Sequence, residues 1–111
     1  MPHFRFRAIE EKHVATLSES LLTPLQPLMD CPEEDFTFEF IPSTFYFRGQ
    51  QGNDYPFVEV MWFDRGQETQ NRVASEVTVQ IRDLIGDQNK DIAVIFNALV
   101  PAQYYDNGSH Y

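Results

Sequence analysis

The first residue with chemical potential is the proline that follows the initiator methionine in the opening stretch MPHFRFR. Removal of Met1 would leave Pro2 with a free secondary amine, a base that no internal residue can supply. An ordinary terminal α-amino group has a pKa of about 8. Burial in an apolar pocket lowers that pKa because it disfavours the ammonium form. Pro2 is therefore a candidate general base near neutral pH. The structural alternative is a proline that only begins a strand, where its missing N–H is tolerated.

Two arginines and one aromatic residue are candidates for binding a substrate. Arg48 ends a short predicted strand beside the stretch GQQGND, and Arg65 follows the longest predicted strand, close to Phe63. A guanidinium binds carboxylates and stabilises a developing enolate, and the Phe63 ring would wall an apolar pocket. An ion pair at the surface or in a subunit interface explains either arginine equally well.

Metal, redox and cofactor chemistry find little support in the sequence. Cys31 is the only cysteine, so an internal disulfide is excluded and a reducing compartment is favoured. His3, His13 and His110 lack the spacing of metal ligands, and no glycine-rich phosphate-binding motif is present. We therefore expect no metal and no cofactor.

The net charge and hydropathy of the chain limit the classes of partner that it is expected to bind. The formal net charge of −9 argues against nucleic acid and against an anionic membrane surface, both of which require clustered basic residues. No apolar run is long enough to span a membrane or to act as a signal peptide. These features predict a cytoplasmic protein without a nucleic-acid or membrane partner.

The length of 111 residues predicts one domain over residues 1–111. Apolar spacing predicts five strands and two helices within it. Period-2 alternation marks strands, which we place at His3–Ala8, Phe36–Ile41, Phe45–Arg48, Tyr55–Phe63 and Asp91–Leu99. Helical spacing marks Glu10–Met29 and Thr69–Ile85. Thr23-Pro24 is expected to cap and restart the first helix. Asn107-Gly108 predicts a turn before a last short strand.

This order is that of two β-α-β units, which predicts an α+β fold with one mixed sheet and both helices packed on one face. The opposite face is left uncovered and is expected to be buried between copies of the chain. Strand parity places Arg5, Arg7, Glu39 and Glu59 on that uncovered face. Because an unpaired carboxylate is costly to bury, we expect Glu59 to pair with Arg5 or Arg7.

Several stretches resemble the tautomerase superfamily, which includes macrophage migration inhibitory factor and 5-carboxymethyl-2-hydroxymuconate isomerase. MPHF and DYPFVEV resemble the isomerase, whereas TQNRVAS and the tail YYDNGSHY resemble the factor. The chain looks most like a small bacterial subgroup of that superfamily. Three polar residues of those relatives are replaced here: Cys31 stands for a lysine, Ala93 for a tyrosine, and Thr37 and Glu39 lie where the isomerase has an arginine.

The resemblance implies a homotrimer that works without a cofactor and uses the amino-terminal proline, here Pro2, as its catalytic residue. The implied activity is tautomerisation or isomerisation of a small keto or enol carboxylic acid after removal of Met1. The alternative, favoured by the three replaced residues, is a non-catalytic trimeric binding or structural protein that keeps the fold.

Overall fold

The structure, a computed structural model, describes residues 1–111. Its elements are, in order, β1 (Pro2–Arg7), α1 (Glu11–Ser20), α2 (Leu22–Met29), β2 (Thr37–Ile41), β3 (Tyr46–Phe47), β4 (Gln50–Gln51), β5 (Phe57–Trp62), α3 (Gln67–Ile85), β6 (Ala93–Ala98), β7 (Tyr105–Asp106) and β8 (Ser109–His110). Single 3-10 turns occur at Glu33–Asp35 and Pro101–Gln103. No helix combines the length and the apolar character needed to cross a membrane.

Four strands form the main sheet in the order β2-β1-β5-β6. β1 is parallel to β2 and β5 is parallel to β6, whereas the two central strands β1 and β5 are antiparallel. Each parallel pair is joined by helix, as a crossover connection requires. The structure thus confirms the predicted pair of β-α-β units in one mixed sheet.

The core lies between the helices and one face of this sheet. Alternate residues of the central strands are completely or almost completely buried there: Phe4, Phe6, Val58, Val60 and Trp62. The helices contribute buried residues at helical spacing, namely Val14, Leu17, Leu25, Met29, Val73, Val77 and Ile81, and Leu21 between α1 and α2 is buried with them. The packing of all helices on one face is therefore confirmed.

The break in the first helical segment is earlier than the sequence indicates. α1 ends at Ser20 and α2 begins at Leu22, so the prediction that Thr23-Pro24 restarts the helix is wrong by two residues. Pro24 occupies the third position of α2, where a backbone N–H would have no intrahelical partner. The proline therefore fits inside the first turn and does not need to begin it.

Two small hairpins lie outside the main sheet. β3 pairs with β4, so Gln50–Gln51, in the stretch GQQGND for which no strand was predicted, forms a strand. The connecting residues Arg48 and Gly49 have φ of 50° and 80°, which matches the two-residue turn that tight hairpins favour. The second hairpin, β7–β8, turns at Asn107-Gly108 as predicted.

The uncovered sheet face carries a network of charged side chains. The Glu59 carboxylate lies 3.1 Å from the Arg5 guanidinium and 3.9 Å from that of Arg7, which confirms the predicted pairing. The Asn97 amide donates a hydrogen bond to the other oxygen of Glu59. The Glu59 side chain is 18% exposed in one subunit, so the network is half-buried before any second copy is added.

Candidate active site

Pro2 begins the central strand β1 and is buried. It lies opposite Trp62, the last residue of β5, at the end of the sheet where β5 leaves for α3. First position in a strand suits a residue without an N–H. The sequence pattern therefore places the Pro2 nitrogen at an edge of the core, joined here to Met1 through a peptide bond.

Arg65 is held against this end of β1 by three backbone carbonyls. Its Nε donates to the Met29 oxygen at 2.8 Å, and its Nη1 donates to the Phe63 oxygen at 2.6 Å. Its Nη2 donates to the Met1 oxygen at 3.4 Å, and the guanidinium carbon lies 5.5 Å from the centre of the Trp62 ring. Because the Met1 carbonyl is bonded to the Pro2 nitrogen, the Arg65 cation and that nitrogen are close neighbours.

A cavity of about 200 Å³ opens beside Met1. Its lining residues are Met1, Glu34, Asp35, Thr37, Tyr104, Asp106 and Tyr111. The Asp35 carboxylate lies 3.7 Å from the Met1 amino group. The cavity thus combines two phenol rings with acidic groups next to Pro2.

Phe63 belongs to an aromatic cluster behind the Met1 cavity. Its ring stacks on Tyr111 at 5.1 Å between centroids and meets Tyr104 edge-on at 5.4 Å. Desolvation and the nearby Asp106 carboxylate raise the pKa of the Tyr111 phenol, although the residue is 56% exposed. The phenol is a hydrogen-bond donor at neutral pH, as tyrosines ordinarily are. Sequence reasoning missed both tyrosines, although the aromatic-rich stretch YYDNGSHY was a visible signal.

A wider groove of about 460 Å³ is lined in part by Arg65. We call it the Arg65 groove; it is lined by Leu28, Met29, Asp30, Phe63, Asp64, Arg65 and Thr69. Gly66 follows with a φ of 90°, and its N–H donates to the Asp64 carboxylate at 2.8 Å. This turn fixes Arg65 between the end of β5 and the start of α3.

The remaining sequence candidates do not join this site within one subunit. Arg48 lies in the β3–β4 turn, with its guanidinium 5.6 Å from the centre of the Phe47 ring. It makes no hydrogen bond or ion pair with Met1, Pro2 or Arg65.

Burial raises the pKa of the Cys31 thiol despite the opposing charges of the terminal amine and Arg65, so the thiol is a weak nucleophile at neutral pH. No group of three or more His, Cys, Asp or Glu side chains is placed to hold a metal ion.

Comparison with known proteins identifies the family. A domain model described as a domain of unknown function, DUF1904, matches residues 1–110. The chain belongs to the DUF1904 family. A DUF1904 crystal structure from Sebaldella termitidis is 33% identical over 100% of both chains, with a TM-score of 0.91. A protein of unknown function from Vibrio cholerae is 41% identical over 99% of this chain and 87% of that one, with a TM-score of 0.89. No curated protein sequence matches.

More distant structures show that this DUF1904 chain has the tautomerase fold. A macrophage migration inhibitory factor-like protein from Entamoeba histolytica is 13% identical over 99% of this chain and 98% of that one, with a TM-score of 0.76. Fused 4-OT proteins and a member of the cis-3-chloroacrylic acid dehalogenase family have the same fold at similarly low identity. One fused 4-OT structure is described as an asymmetric trimer. The resemblance stated from the sequence is confirmed at the level of fold.

Proposed function

We propose that this DUF1904 protein is a cofactor-independent tautomerase or isomerase of small keto or enol acids. The Pro2 nitrogen, freed by removal of Met1, is the general base. The observation that carries the proposal is the Arg65 guanidinium, which reaches the Met1 carbonyl directly beside the buried Pro2. In an enzyme of this kind a base and a cation must face the same small space.

The Met1 carbonyl oxygen marks where a substrate oxygen would lie. When Met1 is removed, the Arg65 Nη2 group loses this acceptor while its bonds to Met29 and Phe63 still hold the side chain in place. A carboxylate or enolate oxygen of the substrate takes the vacated position, because an arginine forms strong hydrogen bonds with anionic oxygens. The anion is thus bound next to the Pro2 amine.

Proton transfer then needs only one group. In ketonisation of an enol acid, the Pro2 nitrogen accepts the proton of the enol hydroxyl while Arg65 stabilises the negative oxygen. The protonated Pro2 amine returns a proton to the neighbouring carbon, which completes the keto product and restores the free base. The burial of Pro2 and the nearby Arg65 cation favour the neutral amine, as a base active at neutral pH requires, and they act against the Asp35 carboxylate that lies beside Met1.

The acting assembly is a homotrimer in this proposal. The uncovered sheet face supports it, as does the trimer described for a fused 4-OT protein of the same fold. Arg48 lies on an exposed hairpin that makes few contacts with its own subunit, so its role in binding a carboxylate depends on reaching the Pro2 site of a neighbouring subunit.

Turnover of phenylenolpyruvate tests the proposed base. Protein that begins at Pro2 should accelerate ketonisation above the solution rate, whereas protein with one glycine added before Pro2 should not. The added residue converts the nitrogen into an amide and leaves every side chain in place. Equal turnover by the two forms would place the base elsewhere.

Arginine variants test the binding role of Arg65. Arg65→Lys keeps the charge but not the fork geometry, and should lower kcat/KM by about tenfold to a hundredfold. Arg72→Lys is the matched control, since Arg72 is an exposed arginine of α3 that pairs only with Glu68. Arg48→Lys shows whether that residue takes part. An unchanged kcat/KM for Arg65→Lys would remove Arg65 from the site.

A specific observation favours the second candidate, a non-catalytic trimeric binding or structural protein. Two of the three carbonyls that Arg65 binds are in structural positions, at the end of α2 and after β5. These two hydrogen bonds alone would give Arg65 a structural role, without any contact with a substrate. Absence of turnover above the solution rate by Pro2-initiated protein, across several enol and keto acids, would favour this second function.

A further inference from the structure

The end of the sheet opposite Pro2 contains a small cavity that the proposed reaction does not use. Its volume is about 210 Å³, enough for a small organic molecule. Ile9, Ile85 and Pro56 form its apolar part, and Glu10, His13 and Lys90 form its polar part. We call it the Lys90 cavity.

The Lys90 cavity and the Arg65 groove occupy equivalent positions in the two β-α-β units. Three kinds of position line each of them. The first follows a central strand, the second is the third residue of the helix that comes next in the chain, and the third is the last residue of the helix in the other β-α-β unit. In the groove these are Arg65, Thr69 and Met29, and in the Lys90 cavity they are Glu10, His13 and Ile85. Pro56, immediately before β5, is buried as Pro2 is at the start of β1.

Some polar groups of the Lys90 cavity have a hydrogen-bond or ion-pair partner and others have none. Lys90 is half-buried, and its ammonium makes no ion pair or hydrogen bond. His13 has a buried Nδ1 atom without a hydrogen-bond partner. The Glu10 carboxylate, in contrast, already pairs with Lys12 at 3.3 Å. Two basic side chains therefore lack partners, while the acidic one has a partner.

From these contacts we propose that the Lys90 cavity is a second ligand site that binds a small carboxylic acid with a branched apolar body. The carboxylate pairs with the Lys90 ammonium and accepts a hydrogen bond from the His13 ring, which can turn to present a protonated nitrogen. The body of the ligand packs on Ile9, Ile85 and Pro56. Most small-molecule sites combine an apolar wall with a few polar groups in this way.

This site binds without turnover. The Pro56 nitrogen is a peptide amide within the chain, so it has no lone pair available to accept a proton. Ligand binding in the Lys90 cavity uses only the residues of that cavity and is independent of the role of Pro2.

The probe is 3-methylbutanoate, a branched carboxylate with no keto or enol group. It is titrated into nitrogen-15-labelled full-length protein carrying one glycine before Pro2, in which the proposed base is blocked. We expect saturable shifts of backbone amide signals from Glu10, His13 and Lys90. Lys90→Gln should weaken binding about tenfold, the size of one charge-assisted hydrogen bond.

Arg72→Gln is the matched control, because Arg72 is an exposed cation of α3 that pairs with Glu68, and neither residue lines the cavity. It should leave the affinity unchanged. The neutral analogue 3-methylbutanamide should bind about tenfold more weakly than the acid. Equal affinity of Lys90→Gln and the unaltered chain, equal affinity for the amide, or saturable shifts only near Arg65 would each overturn the proposal. So would the absence of saturable binding.

Discussion

Arg65 links three parts of the chain through one side chain. It joins the end of α2, the residue after β5 and the first residue of the chain by hydrogen bonds to their carbonyls. The guanidinium also lies against the Trp62 ring, which restricts its rotamers. A cation fixed in this way lies next to the Met1–Pro2 peptide bond, and it would not have to reorganise to stabilise an enolate there.

Glu59 is the residue whose loss should most disturb the uncovered face. Glu59→Gln removes the charge that faces Arg5 and Arg7, and we expect it to lower the free energy of unfolding by about 2 kcal/mol because two arginines lose their shared partner. Chemical denaturation followed by fluorescence measures this value. The control is Glu68→Gln, which affects an exposed pair with Arg72 and should cost less than about 0.5 kcal/mol. Equal effects would mean that Glu59 is effectively solvated.

The ionisation of the Glu39 carboxyl leads to a prediction of how the stability of the fold changes in acid. The hydrogen bond from His3 holds the pKa of the Glu39 carboxyl below its ordinary value of 4.5, with a smaller contribution from Arg5. A lowered pKa in the folded state stabilises the protein above pH 4.5, and this contribution is lost as the pH falls through the folded-state pKa. Melting temperatures of the unaltered chain and Glu39→Gln should therefore differ most above pH 4.5 and converge in acid. A constant difference would contradict the assignment.

At the scale of elements, hydrophobic periodicity was sufficient to predict the four long strands, their faces and α3. Each of these elements has one face in the core, so burial imposes its period on the sequence. The break at Leu21 was missed because a proline in the first turn of a helix carries no penalty, and Pro24 therefore gave no reliable boundary. β4 was missed because its residues, Gln50 and Gln51, are exposed and have no apolar pattern.

The residues of the candidate site also separate into those that the sequence predicts and those that only the fold brings together. Pro2 and Arg65 were visible because their chemistry depends on residue type and on position along the chain. Tyr104 and Tyr111 enter the site through the fold of the tail. His13 and Lys90 line the same cavity although they lie 77 positions apart in the sequence. Contacts of that kind depend on tertiary packing, which no local pattern records.

The end of α3 gives a prediction at this scale. Gly86 follows the helix with a φ of 78°, in the left-handed region, and its N–H donates to the Arg82 oxygen at 2.8 Å. Gly86→Ala should lower the free energy of unfolding by about 1 kcal/mol, since a Cβ is disfavoured in that conformation. The space around Gly86 is open, so the backbone conformation alone accounts for the loss. Denaturant unfolding measures it, and an unchanged or higher stability would refute the strain argument.

At the scale of the whole molecule, the uncovered sheet face is the surface that we expect to form the subunit interface. Ile95 is 42% exposed there beside the half-buried Glu59 network, and Phe57, Met61 and Phe63 extend the apolar area. A surface of this kind on a small chain is typical of an interface. We expect the chain to form a trimer whose interior is this face.

A charge placed on that face should dissociate the trimer. Ile95→Lys is expected to give a folded monomer at micromolar concentration, because Ile95 is exposed in a single subunit and is not needed for its core. Val79→Lys on α3 is the control, since Val79 is 49% exposed on the opposite, helical side. Light scattering should give three chain masses for the unaltered protein and for Val79→Lys. A monomeric unaltered protein, or a trimeric Ile95→Lys variant, would contradict this assembly.

The central claim is that the Pro2 nitrogen is a base near neutral pH, and titration of that nitrogen tests it most directly. Protein that begins at Pro2 and carries nitrogen-15-labelled proline is followed by NMR across the pH range, with its kcat/KM for phenylenolpyruvate measured at the same pH values. We predict a single transition of the Pro2 signal with a pKa below the value of about 8 of an ordinary terminal amine, and a rise in kcat/KM at the same pH. A Pro2 nitrogen that stays protonated through neutral pH, or a rate profile unrelated to its transition, would contradict the account.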